Sequence, residues 1–405
     1  MTKSFIAASV LLLRDDGLLS LDDEVGVAIP SFAPLLPTGT TLRRLLTMTS
    51  GLATDDPWAD RLMDAPDSMV DDVLAAGVSL SVEPGASFEY SNLGYVILGR
   101  VVSVVAGKRV QDVVRERLAV PLGMTSTSWD LPGDDASWAW PHRVIDDDAV
   151  EDAAPIADGS FAPLGGLWST VEDLARWVAM LSSDREGPLS YASRREMATA
   201  AVRLPGAWAD DGAYGFGLDV IDDAAAGRVV GHSGGLPGYG SHMRWQAGGR
   251  SGAGHGVIAL ANVTYAPMRS LAKVLLRHEV LVDGSILGRE TPIVDATYRL
   301  VDQLNNWGDS PADNSPADNS SDVAADELFT FNVDLDDPLR RRAAAARTLI
   351  SIHGALELVA IEPMHRMRAE ATLLGTDSGQ LLRLLLNCAP PLPVRVQQYR
   401  VETWS

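Results

Sequence analysis

Met1-Thr2-Lys3-Ser4-Phe5-Ile6-Ala7-Ala8-Ser9-Val10-Leu11-Leu12-Leu13-Arg14-Asp15-Asp16-Gly17 opens the chain and decides how the rest is read. Phe5, Ile6, Ser9-Val10, Leu12 and Leu13 form a near-continuous helical stripe, and Gly17 suits the C-cap. A helix this apolar is central to a domain, yet no polar cap precedes it. Lys3 falls in its first turn. A buried lysine with no neighbouring acid needs a reason.

The 405 residues predict two or three domains, and 46% apolar with 21% charged residues is ordinary for a globular protein. The net charge of −21 and the lack of a basic cluster with interleaved aromatics argue against nucleic acid or an anionic membrane as a partner. One cysteine, Cys388, excludes a disulfide framework and reads as a small buried hydrophobe. The seven histidines show neither H-x-x-x-H nor H-x-x-E-H, so no metal or other cofactor is expected. The apolar stretch 5–13 is too short for a transmembrane segment and lacks a small-residue cleavage site.

Outward from the first helix, the pattern predicts further helices. One runs from Leu42 to Thr47, capped by Thr40 or Thr41. A second opens on a Ser68–Asp71 capping box. Others cover Leu93–Ala106, Val110–Leu118 and, after Thr170, a stretch to Leu181. Strands follow at 229–232, 241–245 and 256–262, the last two as an antiparallel hairpin, with a helix from Pro267 to Leu281 behind them. The tandem Ser310–Asn314 and Ser315–Asn319 repeat reads as a flexible linker. After it come a helix from Pro338 to Ile352 and four strands at 355–361, 366–373, 379–386 and 393–402. The expected fold class is therefore α+β. The expected organisation is a catalytic-type domain over 1–285, a connector over 286–325 and an accessory α+β domain over 326–405.

Three stretches carry chemistry: Thr2-Lys3, Tyr90-Ser91-Asn92 and His232-Ser233-Gly234-Gly235. Singly each is weak. Y-x-N is common, a lone histidine after a strand is more often packed than catalytic, and a lysine at a helix start is usually solvated. In this order and setting the chain resembles the serine β-lactamase and penicillin-binding-protein superfamily, most closely its class C β-lactamase-like and esterase branch. That family's motifs are S-x-x-K on a central helix, Y-x-N, and K-T-G or H-[ST]-G on a strand. Leu42–Leu52, Pro121-Leu122-Gly123-Met124 and Gly165–Thr170 add to the likeness, which covers residues 1–285. The resemblance implies a helical region against an antiparallel sheet, and a small-molecule or peptide substrate opened through an acyl-enzyme.

It also implies roles. A serine hydroxyl needs a base, and Ser and Lys three residues apart share one helix face. Lys3 would hold or shuttle the proton, and Tyr90 would exchange it with the nucleophile and the leaving group. Asn92 would bind the substrate amide or ester, His232 would shape the local field, and Ser233 and Gly234 would bind the substrate. The N–H of Gly235 would form half of an oxyanion hole. His232 in place of lysine tilts the substrate toward esters or peptides. Trp58, Trp129, Trp138, Trp140, Trp168 and Trp208 offer either an apolar acyl pocket or ordinary packing. One departure stands out: with Lys3 as the motif lysine, the serine falls one position before Met1. The chain is therefore expected to be N-terminally truncated, lacking the nucleophile and the family's first strands. The alternative is a catalytically inactive member that binds or scaffolds.

Overall fold

This computed structural model describes residues 1–54, 62–131, 133, 138–146, 149–152, 155, 157–206, 212–223, 226–247, 254–283, 292–309, 328–330, 333, 338–365, 368–389 and 395–403. Trp58, Trp208 and the Ser-Pro-Ala-Asp-Asn repeat lie outside the described residues. The chain divides into two units, Met1–Asp222 with Arg228–Lys273, and Asp223–Gly227 with Val274–Ser405.

Helix α1 (Thr2–Asp15) is the axis of the first unit, and every residue from Thr2 to Leu13 is buried. Gly17, at φ 75°, ends it. Its N–H donates to the Arg14 carbonyl and that of Leu18 to Leu13, the paired bonds of a Schellman cap. Around α1 are α2 (Val25–Ala28), α3 (Leu42–Leu46), α4 (Asp67–Ala75), α5 (Asn92–Ala106), α6 (Val110–Val114), α7 (Val171–Ser182) and α8 (Tyr191–Met197). Helix α1 packs against α5, α6, α8 and the short turn Ala162–Leu164. Phe5 stacks on Trp177 of α7, ring centroids 4.0 Å apart, and both are fully buried. Each fully buried side chain of this size contributes roughly 1.5–3 kcal/mol.

Caps set the helix starts. The side chains of Thr41 and Thr170 accept from the N–H groups of Arg44 and Asp173, as the sequence predicts. The expected capping box at Ser68 does not form: Pro66 occupies the N-cap of α4 with no side-chain cap, and Asp67 sits in the first turn. Helix α6 does not run straight to Leu118. It widens into a π turn over Arg115–Ala119, where Val120 N–H reaches the Arg115 carbonyl.

A sheet of order β3-β4-β5-β6-β7-β8 completes this region. Its strands are β3 (Val202–Arg203), β4 (Gly212–Tyr214), β5 (Asp219–Asp223), β6 (Gly227–Leu236), β7 (Tyr239–Gln246) and β8 (Gly256–Ala261). The sequence pattern gives β6 to β8, and the shorter β3 to β5 extend it. Antiparallel register places His232 opposite Met243, Ser233 opposite His242 and Gly235 opposite Gly240. A separate hairpin of β1 (His142–Asp146) and β2 (Ala149–Asp152) is joined to the segment after β8 by a parallel bridge between His142 and Val263. Helix α7 packs on β7 and β8, so the sheet, α7 and α1 share one core. Helix α9 (Met268–Asp283) leads out of the first unit.

The second unit has its own core. Helix α10 (Pro292–Asp309), where the sequence pattern gives no element, packs on α11 (Leu339–His353) and on β9 (Leu356–His365). The sheet runs β12-β11-β10-β9, all antiparallel, with β10 (Arg368–Gly375), β11 (Leu381–Ala389) and β12 (Arg395–Thr403). Strands β10 and β11 alternate buried and half-exposed residues. Cys388 is buried there, and burial pushes its thiol up to about 12. Among the described residues no helix is long and apolar enough to cross a membrane.

Candidate active site

The first turn of α1 carries Lys3 inward, and the start of α5 meets it. Ser91 caps α5, its Oγ accepting from Gly94 N–H at 3.1 Å, which makes Asn92 the first helical residue. The Lys3 ammonium donates to Asn92 Oδ1 at 2.8 Å and to the Leu164 carbonyl at 2.7 Å. It also lies 5.0 Å from the centre of the Tyr90 ring. Only 3% of Lys3 is exposed, so these contacts replace the water it has lost. Met48 holds the Tyr90 stretch from behind. It adopts a left-handed φ of 56°, takes the Glu89 N–H on its carbonyl at 2.8 Å and the Ser91 N–H on Sδ at 3.4 Å.

Opposite stands β6. The Met1 nitrogen donates to the Ser233 carbonyl at 3.1 Å, tying the start of α1 to this strand. At Gly234 a Cβ would collide with Ser241 Oγ, and at Gly235 it would come within 2.5 Å of the Tyr265 ring. Two glycines therefore keep the strand bare where it borders the cavity.

That cavity, of about 880 Å³, is lined by Thr2, Lys3, Tyr90, Asn92, Gly234 and Gly235 among others. Its size suits a small-molecule site. His232 and Ser233 are not among its lining residues. The His232 Nδ1 contacts the Ser233 carbonyl, so Nε2 is left to accept from the Tyr214 hydroxyl at 3.1 Å. Burial, followed by the charges of the Met1 amino group and of Lys3, holds His232 well below its ordinary range. The Ser233 hydroxyl turns to His242 Nδ1 at 2.8 Å. Burial, followed by the neighbouring guanidinium groups of Arg244 and Arg269, takes His242 down to about 2. The first, second and third sequence motifs thus meet, but the third meets the cavity through its glycines.

The two hydroxyls beside Lys3 are engaged elsewhere. Ser4 is buried, its Oγ donating to the Met1 carbonyl at 2.9 Å and accepting from Trp177 Nε1 at 3.0 Å. Thr2 Oγ1 accepts from Leu167 N–H at 3.2 Å. The Leu164 carbonyl, which helps hold Lys3, was not legible as a site group. Its only sequence signal is the Pro163 turn before Gly165-Gly166. Of the tryptophans, Trp138 and Trp168 line the cavity, whereas Trp129 is buried in the first unit's core.

Comparison with known proteins gives the same picture. The family model described as Beta-lactamase matches residues 1–280. Penicillin-binding protein 4* of Bacillus subtilis (strain 168) is 29% identical over 263 residues, 60% of this chain and 56% of that protein. Penicillin-binding protein 4 of Amycolatopsis lactamdurans is 29% identical over 266 residues, 60% of this chain and 67% of that protein. The chain thus spans little more than half the length of the Bacillus relative. Among solved structures, a D-stereospecific amidohydrolase from Streptomyces sp. superposes with a TM-score of 0.54 at 24% identity, over 71% of this chain and 85% of that one. The octameric penicillin-binding protein homologue from Pyrococcus abyssi does so at 0.59 and 20% identity, over 99% of this chain and 86% of that one. These likenesses are to the fold. With a family model covering most of the chain, and Lys3, Tyr90 and Asn92 gathered on one cavity, the chain belongs to the beta-lactamase family, within the superfamily of serine β-lactamases and penicillin-binding proteins.

Proposed function

We propose that the protein is a serine hydrolase that opens an ester or amide through an acyl-enzyme, with the nucleophilic serine one position before Met1. The observation that supports this most is the held ammonium of Lys3, bonded to Asn92 and the Leu164 carbonyl beside the Tyr90 ring on the cavity wall. The Met1 nitrogen lies against the Ser233 carbonyl, so a preceding residue sits beside β6 and one helical turn from Lys3. In this reading the Lys3–Tyr90 pair takes the hydroxyl proton as Oγ attacks the substrate carbonyl carbon. The N–H groups of Gly235 and of the serine receive the oxyanion. Tyr90 returns a proton to the departing alcohol or amine, and water, deprotonated by the same pair, cleaves the acyl-enzyme.

Asn92 has two tasks in this scheme. Its Oδ1 orients Lys3, and its side-chain amide, on the cavity wall, is the group that would meet a substrate carbonyl. His232 and Ser233 support the strand: the one packs under the cavity, the other pins β6 to β7. The test is covalent labelling. The chain preceded by its upstream coding segment is treated with a fluorophosphonate and with fluorescent penicillin, and the adduct is mapped. An adduct on a serine directly before Met1 is expected. An in-frame stop at that codon, or failure of the extended chain to label, favours the inactive binding protein instead.

A further inference from the structure

The cavity has a second character away from Lys3. Trp138, Trp168, Tyr239 and Tyr265 all line it. Three of these rings form a continuous edge-to-face chain. Trp138 meets Trp168 at 5.5 Å and 87°, and Trp168 meets Tyr239 at 5.4 Å and 81°. Trp140 extends the row, 5.0 Å from Trp138.

This wall is held in place. The Tyr239 hydroxyl donates to the Ala139 carbonyl at 2.9 Å, and Asn262 Nδ2 donates to the Trp140 carbonyl at 2.8 Å. Trp168 exchanges both backbone bonds with Ser128, at 2.9 and 3.1 Å. Segments distant in sequence thus converge to present aromatic faces to one space. Packing alone does not account for this, because Trp138 and Trp168 remain half-exposed toward the cavity.

Charge gives the second observation. Among the described residues lining the cavity, Lys3 is the one charged side chain and its ammonium already serves Asn92 and Leu164, while the Met1 amine, which also borders the cavity, donates to the Ser233 carbonyl. Arg244, which is buried, is not among the lining residues, and Ser233 Oγ is turned to His242. A substrate carboxylate entering this space meets apolar rings and hydroxyls and no guanidinium fork.

We propose that the Trp138–Trp168–Tyr239 wall is a subsite for a flat aromatic group carried by an uncharged ester or amide, and that the cavity selects against an analogue bearing a free carboxylate. The inference rests on the reading of this cavity as an acyl-transfer site, but its test does not need turnover. Binding of N-(2-naphthyl)acetamide to the chain is followed by calorimetry and by quenching of tryptophan fluorescence. It binds about tenfold or more tightly than N-butylacetamide, and about tenfold more tightly than 6-acetamido-2-naphthoate. Trp168→Ala and Trp138→Ala each cost about tenfold, while Trp168→Phe, which keeps a flat ring, costs less than about threefold.

Equal affinity for the naphthyl and butyl amides overturns the proposal. So does a carboxylate analogue that binds as tightly as the neutral one. So do alanine variants that melt at the wild-type temperature and bind unchanged. If Trp168→Ala does not fold, Trp138→Ala and the three-ligand comparison on the unaltered chain still decide. Aromatic selectivity with no fluorophosphonate labelling of the chain extended by its upstream segment removes the acyl-enzyme reading alone, and labelling of that extended chain without aromatic selectivity removes the subsite alone.

Discussion

The two units of the chain solve their cores differently. The second follows local rules nearly everywhere: β10 and β11 alternate buried and half-exposed residues, and α10 and α11 supply Ile293, Leu300, Leu304 and Ala346 to the face they cover. Of its buried guanidinium groups, Arg342 lies 4.2 Å from the Phe329 ring centre and 5.8 Å from that of Trp307, and Arg277 pairs with Asp223 at 3.1 Å. The first unit also breaks local rules around its cavity. A lysine is buried in a helix whose first residue has no side-chain cap, two histidines are buried along one hairpin, and two glycines interrupt a strand. Every one of these irregularities lies on the cavity or in the layer beneath it. Within the first unit these irregular positions gather around the cavity that carries the sequence motifs.

Changes to one unit should therefore move a different observable from changes to the other. The largest effect belongs to Lys3. In the chain extended by its upstream segment, the proposed mechanism predicts that Lys3→Met lowers the labelling rate by about a thousandfold or more, since it would remove the base of a nucleophile–base pair. The unfolding midpoint should change little, because removing a buried charge offsets leaving Asn92 Oδ1 and the Leu164 carbonyl without their donor. A variant that labels normally, or that loses label only because it unfolds, breaks the comparison from the side of the first unit.

Leu384→Ala tests the other side. Leu384 is fully buried on β11, and its truncation costs about 2–5 kcal/mol in urea unfolding of the second unit. Naphthylacetamide binding should not change. Loss of binding together with that stability would mean that the division of labour is wrong.

A smaller effect follows from His242. Its folded pKa, about 2, lies below the ordinary 6.5, so the unfolded chain binds the extra proton between those values. The stabilisation is full above pH 6.5 and is lost as pH falls toward 2, at up to about 1.4 kcal/mol per pH unit. Burial holds His232 low in the same direction. Replacing His242 by Gln should flatten the acid limb of the unfolding curve by about one proton, measured as ΔG against pH from 6.5 to 4. An unchanged slope would show that His242 titrates alike in both states.

Much of this was legible in the chain itself. The spacing of Phe5, Ile6, Val10 and Leu13 gave α1, Gly17 gave its end, and the period-two runs gave β9 to β12 within a few residues. Lys3, Tyr90 and Asn92, which the motifs single out, line one cavity. What escaped depends on tertiary context. Strands β3 to β5 hold two, three and five residues, too few for a periodic signal. Helix α10 carries a helical apolar pattern, Ile293, Leu300, Leu304 and Trp307, that its position beside a Ser-Pro-Ala-Asp-Asn repeat obscured. The orientations of His232 toward Tyr214 and of Ser233 toward His242 depend on neighbouring strands, which no pattern within one strand states. The carbonyl of Leu164 is a backbone group, and side-chain motifs are silent about those.

The central claim is that Lys3 marks an acyl-transfer site whose nucleophile stands one residue before Met1. Peptide mapping of a fluorophosphonate adduct on the chain with its upstream segment tests this most directly. The account predicts one adduct, on a serine immediately preceding Met1, abolished by Lys3→Met. An adduct on Thr2 or Ser4, or one that survives Lys3→Met at the wild-type rate, would contradict it.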